Sequence, residues 1–97
     1  MKKDNIEQEL ARIKAQQPKV CRICGVRAND QAHIFPRSTY PQYKTLAANL
    51  VILCRECHER FDNDAQFRAT QHMLRRRAET FATPQEVYRR FDKRTGV

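Results

Sequence analysis

The chain has 97 residues, with 19 Lys and Arg against 11 Asp and Glu and a formal net charge of +8. That length allows one domain with a modest core, the size range in which a metal or a disulfide commonly supplements hydrophobic burial. No apolar run approaches the roughly 20 residues of a membrane-spanning helix, so no membrane partner is expected. An isoelectric point near 9.8 favours a polyanionic partner, nucleic acid before others. The opening Met1–Leu10 has two lysines and then turns polar and acidic, without the apolar segment of a secretion signal. A reducing, cytoplasmic setting is therefore expected, where paired thiols hold metal more often than they form disulfides.

The pattern then predicts elements in chain order. Residues 4–16 read as an amphipathic helix, with Asp4 as cap, Glu7 closing a capping box, and Ile6, Leu10 and Ile13 on one stripe. Pro18 ends it. From Lys19 to Ile52, short apolar patches are broken by Gly25, Asn29-Asp30, Pro36 and Pro41, which suits short strands and turns. Two strands are predicted, over Gln31 to Phe35 and Asn49 to Leu53. Helix returns from His58 to Asp62 and again from Asp64 to Glu79, where Phe67, Gln71, Leu74, Ala78 and Phe81 form the inner stripe. A last helix is announced by Thr83 as N-cap, Pro84 at the first helical position and Glu86 closing a capping box, with Val87 and Phe91 facing inward. The whole chain, 1–97, reads as a single α+β domain: a helix at 4–16, a metal-stabilised core at 20–62 and a basic helical extension at 64–95.

Cys21-Arg22-Ile23-Cys24 and Cys54-Arg55-Glu56-Cys57 supply two thiolate pairs, each spaced so that a tight turn aims both sulfurs at one tetrahedral ion. Gly25 permits the positive φ such a turn needs, and Arg22 and Arg55 offset the negative charge of four thiolates. A closed four-cysteine site leaves zinc no open position, so Cys21, Cys24, Cys54 and Cys57 are expected to hold a structural Zn2+. Any chemistry has to lie elsewhere.

Around these pairs stand His33 in Ala-His-Ile-Phe-Pro-Arg-Ser, Asn49 in Asn-Leu-Val-Ile-Leu-Cys, and His58 directly after Cys57. In this order, over about Val20 to Asp62, the sequence resembles the HNH endonuclease family, whose fold is a ββα-metal unit gripping one divalent cation over the DNA backbone. The resemblance implies a metal-dependent DNA endonuclease with His33, Asn49 and His58 in the catalytic set. His33 would be the general base, which suits an imidazole whose ordinary pKa of about 6.5 leaves it largely neutral in the cell. In the family the asparagine either bonds the backbone to orient the base or sits beside the metal. Asp62 follows His58 by four residues, so both share one helical face and could hold a single cation, Mg2+ or Mn2+ before other divalent ions. One position departs from the family pattern. The residue before the histidine is usually an Asp or His that binds the metal, and here it is Ala32. Three arrangements follow: His58 and Asp62 complete the site with water and phosphate, Asp30 on the same strand face substitutes, or the site is degenerate.

Residues 66–97 carry eight Lys and Arg against three Asp and Glu, a net +5. Arg75, Arg76, Arg77, Arg89 and Arg90 are therefore expected to meet DNA phosphates, with Arg37 near the scissile one, though three consecutive arginines cannot all point the same way. The alternative to an enzyme is a non-catalytic, zinc-stabilised DNA-binding or nuclease-partner module. A nuclease this small resembles those carried by phages and mobile elements, and the sequence leaves open a homodimer or a larger nuclease complex.

Overall fold

The computed structural model describes residues 3–93, with side chains from Asn5 onward. The expected cap by the Asp4 side chain and the last two positions of the expected helical extension, 94–95, lie outside what is described. Helix α1 spans Lys3–Ala15. Its stripe of Ile6, Leu10 and Ile13 packs on Leu50. The helix ends short of Pro18, which could not continue it, and the Lys19 ammonium donates to the carbonyls of Lys14 and Gln17 at its C-terminal end.

Strand β1 (Asp30–His33) pairs antiparallel with β2 (Leu50–Leu53), with Asp30 opposite Leu53 and His33 opposite Leu50. β2 is aliphatic at every position and fully buried, as a strand covered on both faces must be. α1 covers Leu50, while Val51, Ile52 and Leu53 join Phe61, Leu74, Ala78, Val87 and Phe91 in the main core. Side-chain amides tie the hairpin to α1: Gln17 donates to the Leu50 carbonyl at 2.8 Å and Gln31 to the Leu10 carbonyl at 2.9 Å.

β1 is shorter than the sequence pattern predicts. The Ile34 N–H still reaches the Asn49 carbonyl, but the next position along β1 that would face β2 is Pro36, which has no N–H, and the intervening Phe35 N–H donates to the Asn49 side chain. Residues 34–49 then cross between the strands through 3-10 turns at Pro41–Tyr43 and Ala47–Asn49. Phe35, Tyr40, Tyr43 and Phe81 pack there as an aromatic group, with the Phe35 ring 5.0 Å from Tyr40 and 5.7 Å from both Tyr43 and Phe81.

Helix α2 (Arg55–Asn63) begins directly after Cys54, three residues before the expected start. The predicted helix over 64–79 is divided into α3 (Ala65–Ala69) and α4 (His72–Glu79). At the break the Thr70 hydroxyl and the Gln71 amide both donate to the Phe67 carbonyl, competing for the acceptor that a continuing helix would use. Asp64 caps α3 by accepting from Gln66 and Phe67, and α5 (Pro84–Val87) opens with the expected capping box of Thr83 and Glu86. α5 runs into a π-helical turn at Tyr88–Asp92, closed by the Lys93 N–H on the Tyr88 carbonyl. No helix among the described residues is long and apolar enough to cross a membrane.

Of the three consecutive arginines on α4, Arg77 lies across the 3-10 turn before β2 and donates to the carbonyls of Ala48 at 2.8 Å and Ala47 at 3.4 Å. Arg76 is exposed. Arg77→Ala is expected to lower stability by about 1–2 kcal/mol, because it strands carbonyls that a charged donor satisfies. Arg76→Ala should stay within about 0.5 kcal/mol. Urea unfolding of both variants beside the unmodified protein checks the contrast.

Candidate active site

The two cysteine pairs converge as their spacing requires. Val20 bridges Arg27 across the first turn, Gly25 takes φ +84°, and the Arg22 N–H donates to the Ile52 carbonyl, which fastens that turn to β2. The second pair starts α2, where the Cys54 sulfur accepts the Cys57 N–H at 3.4 Å, matching Cys21 accepting the Cys24 N–H at 3.5 Å. All four sulfurs lie within 4.8 Å of one another. A tetrahedral zinc with bonds of about 2.3 Å needs sulfurs about 3.8 Å apart, and Cys24 and Cys54 are at 3.7 Å. The thiols by themselves do not share charge evenly. Burial disfavours ionisation of Cys21, yet backbone N–H groups of Cys24, Cys54 and Ile23 hold its pKa at about 6, while burial and the neighbouring thiols push Cys57 up. A divalent cation would remove that conflict by stabilising all four thiolates, so the donor set fits zinc.

Next to the knuckle, a cleft of about 330 Å3 is lined by His33, Pro36, Arg37, Ser38, His58, Asp62 and Arg90. β1 delivers His33 at its last position and α2 delivers His58 and Asp62 one turn apart. The His33 Nε2 is 2.9 Å from the Lys44 carbonyl. A carbonyl only accepts, so Nε2 carries the hydrogen and Nδ1 is left as the basic nitrogen. Burial holds the His33 pKa below the ordinary imidazole value, and the nearby Arg37 adds to this, against the opposing Lys44 hydrogen bond and Asp62 charge.

Asn49 is wholly buried and does not line the cleft. Its Oδ1 accepts the Phe35 N–H at 2.8 Å, and its Nδ2 donates to the carbonyls of Phe35 and Tyr43, both at 3.1 Å. It thereby pins the chain just after His33 to the chain just before Lys44, the residue whose carbonyl orients His33. Of the two roles the family resemblance offered, the side chain's contacts match the backbone-bonding one.

His58 stands between two carboxylates. Its Nε2 is 3.3 Å from Asp62 Oδ2, and its Nδ1 is 3.4 Å from Asp30 Oδ2. Asp30 also accepts from the Arg55 Nε at 2.8 Å, and that guanidinium is the main reason its carboxyl sits below the ordinary range. Asp30 and Asp62 thus address opposite nitrogens of one ring. Ala32 itself is 1 % exposed, paired with Val51 inside the core. Among the described residues, only the four cysteines gather three or more metal-ligating side chains. A wider groove beside Lys19, Val20, Arg27, Ala28 and Asn29 collects no imidazole, thiol or acid.

Residues 21–65 match the family model described as HNH endonuclease. No curated protein and no solved structure matches the chain. The matched segment takes in both cysteine pairs, His33, Asn49, His58 and Asp62, and ends before α4 and α5.

The arginines outside and at the rim of the matched segment separate into two groups. Arg90 enters the cleft from the π turn. Its Nε donates to the Ile34 carbonyl at 2.6 Å, its guanidinium lies 5.2 Å from the Phe61 ring centroid, and one Nη is 3.6 Å from Asp62. Burial lowers its pKa to about 10. Arg77 is committed to carbonyls as described, and Arg75 is paired with Asp92 and Glu79. Arg76 and Arg89 are exposed and without a partner among the described residues, and Arg37 is exposed at the cleft rim, 3.4 Å from Glu7. Three positions that complete the site carry no strong signal in the sequence. The Lys44 carbonyl is backbone, Arg68 fastens the end of α2 through the Phe61 carbonyl and also holds the Arg90 carbonyl at 2.7 Å, and Arg90 is aimed by a π turn.

Purified protein is expected to carry one zinc per chain by elemental analysis. Cys54→Ala should lose that zinc and the cooperative melt together, because metal affinity and folding are one equilibrium in a domain this small. Substoichiometric zinc with an undisturbed melt would contradict this.

Proposed function

We propose that the chain is a metal-dependent endonuclease that hydrolyses phosphodiester bonds of DNA with His33 as general base. The observation that carries this reading is His33 itself: an imidazole kept neutral by burial, its Nε2 hydrogen fixed on the Lys44 carbonyl, in one cleft with His58 and Asp62. His58 and Asp62 would hold the divalent cation, whose positive charge, when bound, offsets the charge growing on phosphate and leaving oxygen. One imidazole and one carboxylate leave most positions to water and phosphate oxygens, the arrangement that Mg2+ and Mn2+ accept. His33 Nδ1 takes a proton from water, the oxygen so exposed attacks phosphorus, and the P–O ester bond on the far side breaks, its oxygen taking a proton from solvent. Asn49 acts as a positioning residue, since it fixes the strand exit and the turn that set the angle of the imidazole. Arg76 and Arg89, exposed and unpaired among the described residues, and Arg37, whose partner there is the exposed Glu7, would meet phosphates, which gives affinity that falls with salt. The whole described chain would serve as one domain, acting in the cytoplasm where the knuckle thiols stay reduced.

A second reading has one specific observation in its favour. Ala32 is sealed in the core and no third protein ligand among the described residues gathers with His58 and Asp62, which would suit a DNA-binding or nuclease-partner module that has lost cleavage. Nicking of supercoiled plasmid separates the two. The enzyme reading expects Mn2+- or Mg2+-dependent nicking that falls at least about 100-fold in His33→Ala; absence of metal-dependent nicking in the unmodified protein supports the second.

Acid tests the state of the base. Because the folded-state pKa of His33 is depressed, the neutral ring contributes fully above the ordinary value of 6.5, and both that stability and the base are lost as pH falls toward the folded midpoint. At saturating Mn2+, the nicking rate should therefore hold through pH 6.5 and decline only in more acid solution. A decline centred above that value would contradict the assignment.

A further inference from the structure

We propose that Asp30 is the positioning residue that fixes the His58 ring, so that Nε2 faces the cation site beside Asp62 and Nδ1 carries the hydrogen. This rests on the cation site proposed above. Metal-bound histidines commonly donate their second N–H to a carboxylate, which sets the tautomer and ring angle and strengthens the bond to metal. Here the contact from His58 Nδ1 to Asp30 Oδ2, at 3.4 Å, is a hydrogen bond, whereas the 3.3 Å approach of Nε2 to Asp62 is an ion-pair distance only. The two carboxylates are therefore not equivalent: one is suited to accept the ring hydrogen and the other to share an ion with the bare nitrogen.

The same Asp30 oxygen accepts from Arg55 at 2.8 Å. Arg55 stands between Cys54 and Cys57, so the knuckle, Asp30, His58 and Asp62 form one connected series from the structural metal to the cleft. β1 supplies Asp30 two residues before Ala32, on the same strand face. The acid that the strand contributes thus lies one contact further from the cation than a ligand at position 32 would.

The test uses the full chain with its zinc in place. Mn2+ binding by calorimetry is expected to weaken about 10- to 100-fold in Asp30→Ala, with a smaller loss in Asp30→Asn, which keeps an acceptor but not the charge. Zinc content and melting temperature should stay close to those of the unmodified protein. Nitrogen NMR of the neutral His58 ring supplies a readout that general loosening of β1 would not produce: the Nδ1–H tautomer in the unmodified protein, moving to Nε2–H in Asp30→Ala, where Asp62 is the remaining carboxylate. Equal Mn2+ affinity in all three proteins, or an Nε2–H tautomer in the unmodified protein, overturns the role of Asp30 and leaves the nuclease reading standing. An unmodified protein that binds no Mn2+ overturns the cation site and this inference together.

Discussion

Two strands of four residues each, Asp30–His33 and Leu50–Leu53, cannot hold a hairpin in water by themselves. What makes this one rigid is the cluster of four cysteines at its far end. Cys21 precedes β1 through a turn whose Arg22 N–H is bonded to β2, and Cys54 both ends β2 and caps α2. Drawing four sulfurs within 4.8 Å therefore fixes the start of α2 against the sheet. His58 follows the fourth cysteine directly, so its place in the cleft is set by the same closure.

A second constraint works at the opposite end of the hairpin. There the chain leaves β1 at His33, crosses residues 34–49 and re-enters at Leu50, and a long crossing of this kind would ordinarily be mobile. Asn49 prevents it by satisfying three backbone groups with one buried side chain. The Lys44 carbonyl is then held where it meets His33. Burying an amide costs free energy unless its hydrogen bonds are made, so a fully bonded Asn49 specifies this crossing more sharply than an apolar residue would. The two constraints meet in the cleft, which places an imidazole from β1 opposite an imidazole and a carboxylate from α2.

Much of this was legible in the sequence, and the reasons are local. Cysteine pairs at fixed spacing, the Thr83-Pro84-Gln85-Glu86 capping box and the Ile6, Leu10, Ile13 stripe each depend on neighbours within one or two turns, and each stands as the pattern predicts. The i to i+4 spacing of His58 and Asp62 likewise brought their side chains together. What the pattern missed depends on partners far along the chain or on backbone. The break at Thr70 comes from hydroxyl competition that propensity does not rank, and the paths of Arg77 to Ala48 and of Arg90 to Ile34 span 29 and 56 residues. A count of positive charge consequently includes arginines that the fold commits to its own carbonyls. Arginines that satisfy buried carbonyls look the same in sequence as arginines that meet DNA.

Under the proposed function, one cleft would hold both the base and a divalent cation. The chain has three histidines, and only His33 and His58 line that cleft, while His72 is exposed at the start of α4. Titration of the zinc-loaded protein with Mn2+, followed by proton NMR of the three imidazoles, tests this most directly, since a paramagnetic ion broadens only nuclei close to it. Selective broadening of His58 and His33 with His72 left sharp is the predicted result; broadening of His72 alone, or of no imidazole at saturating Mn2+, would contradict it.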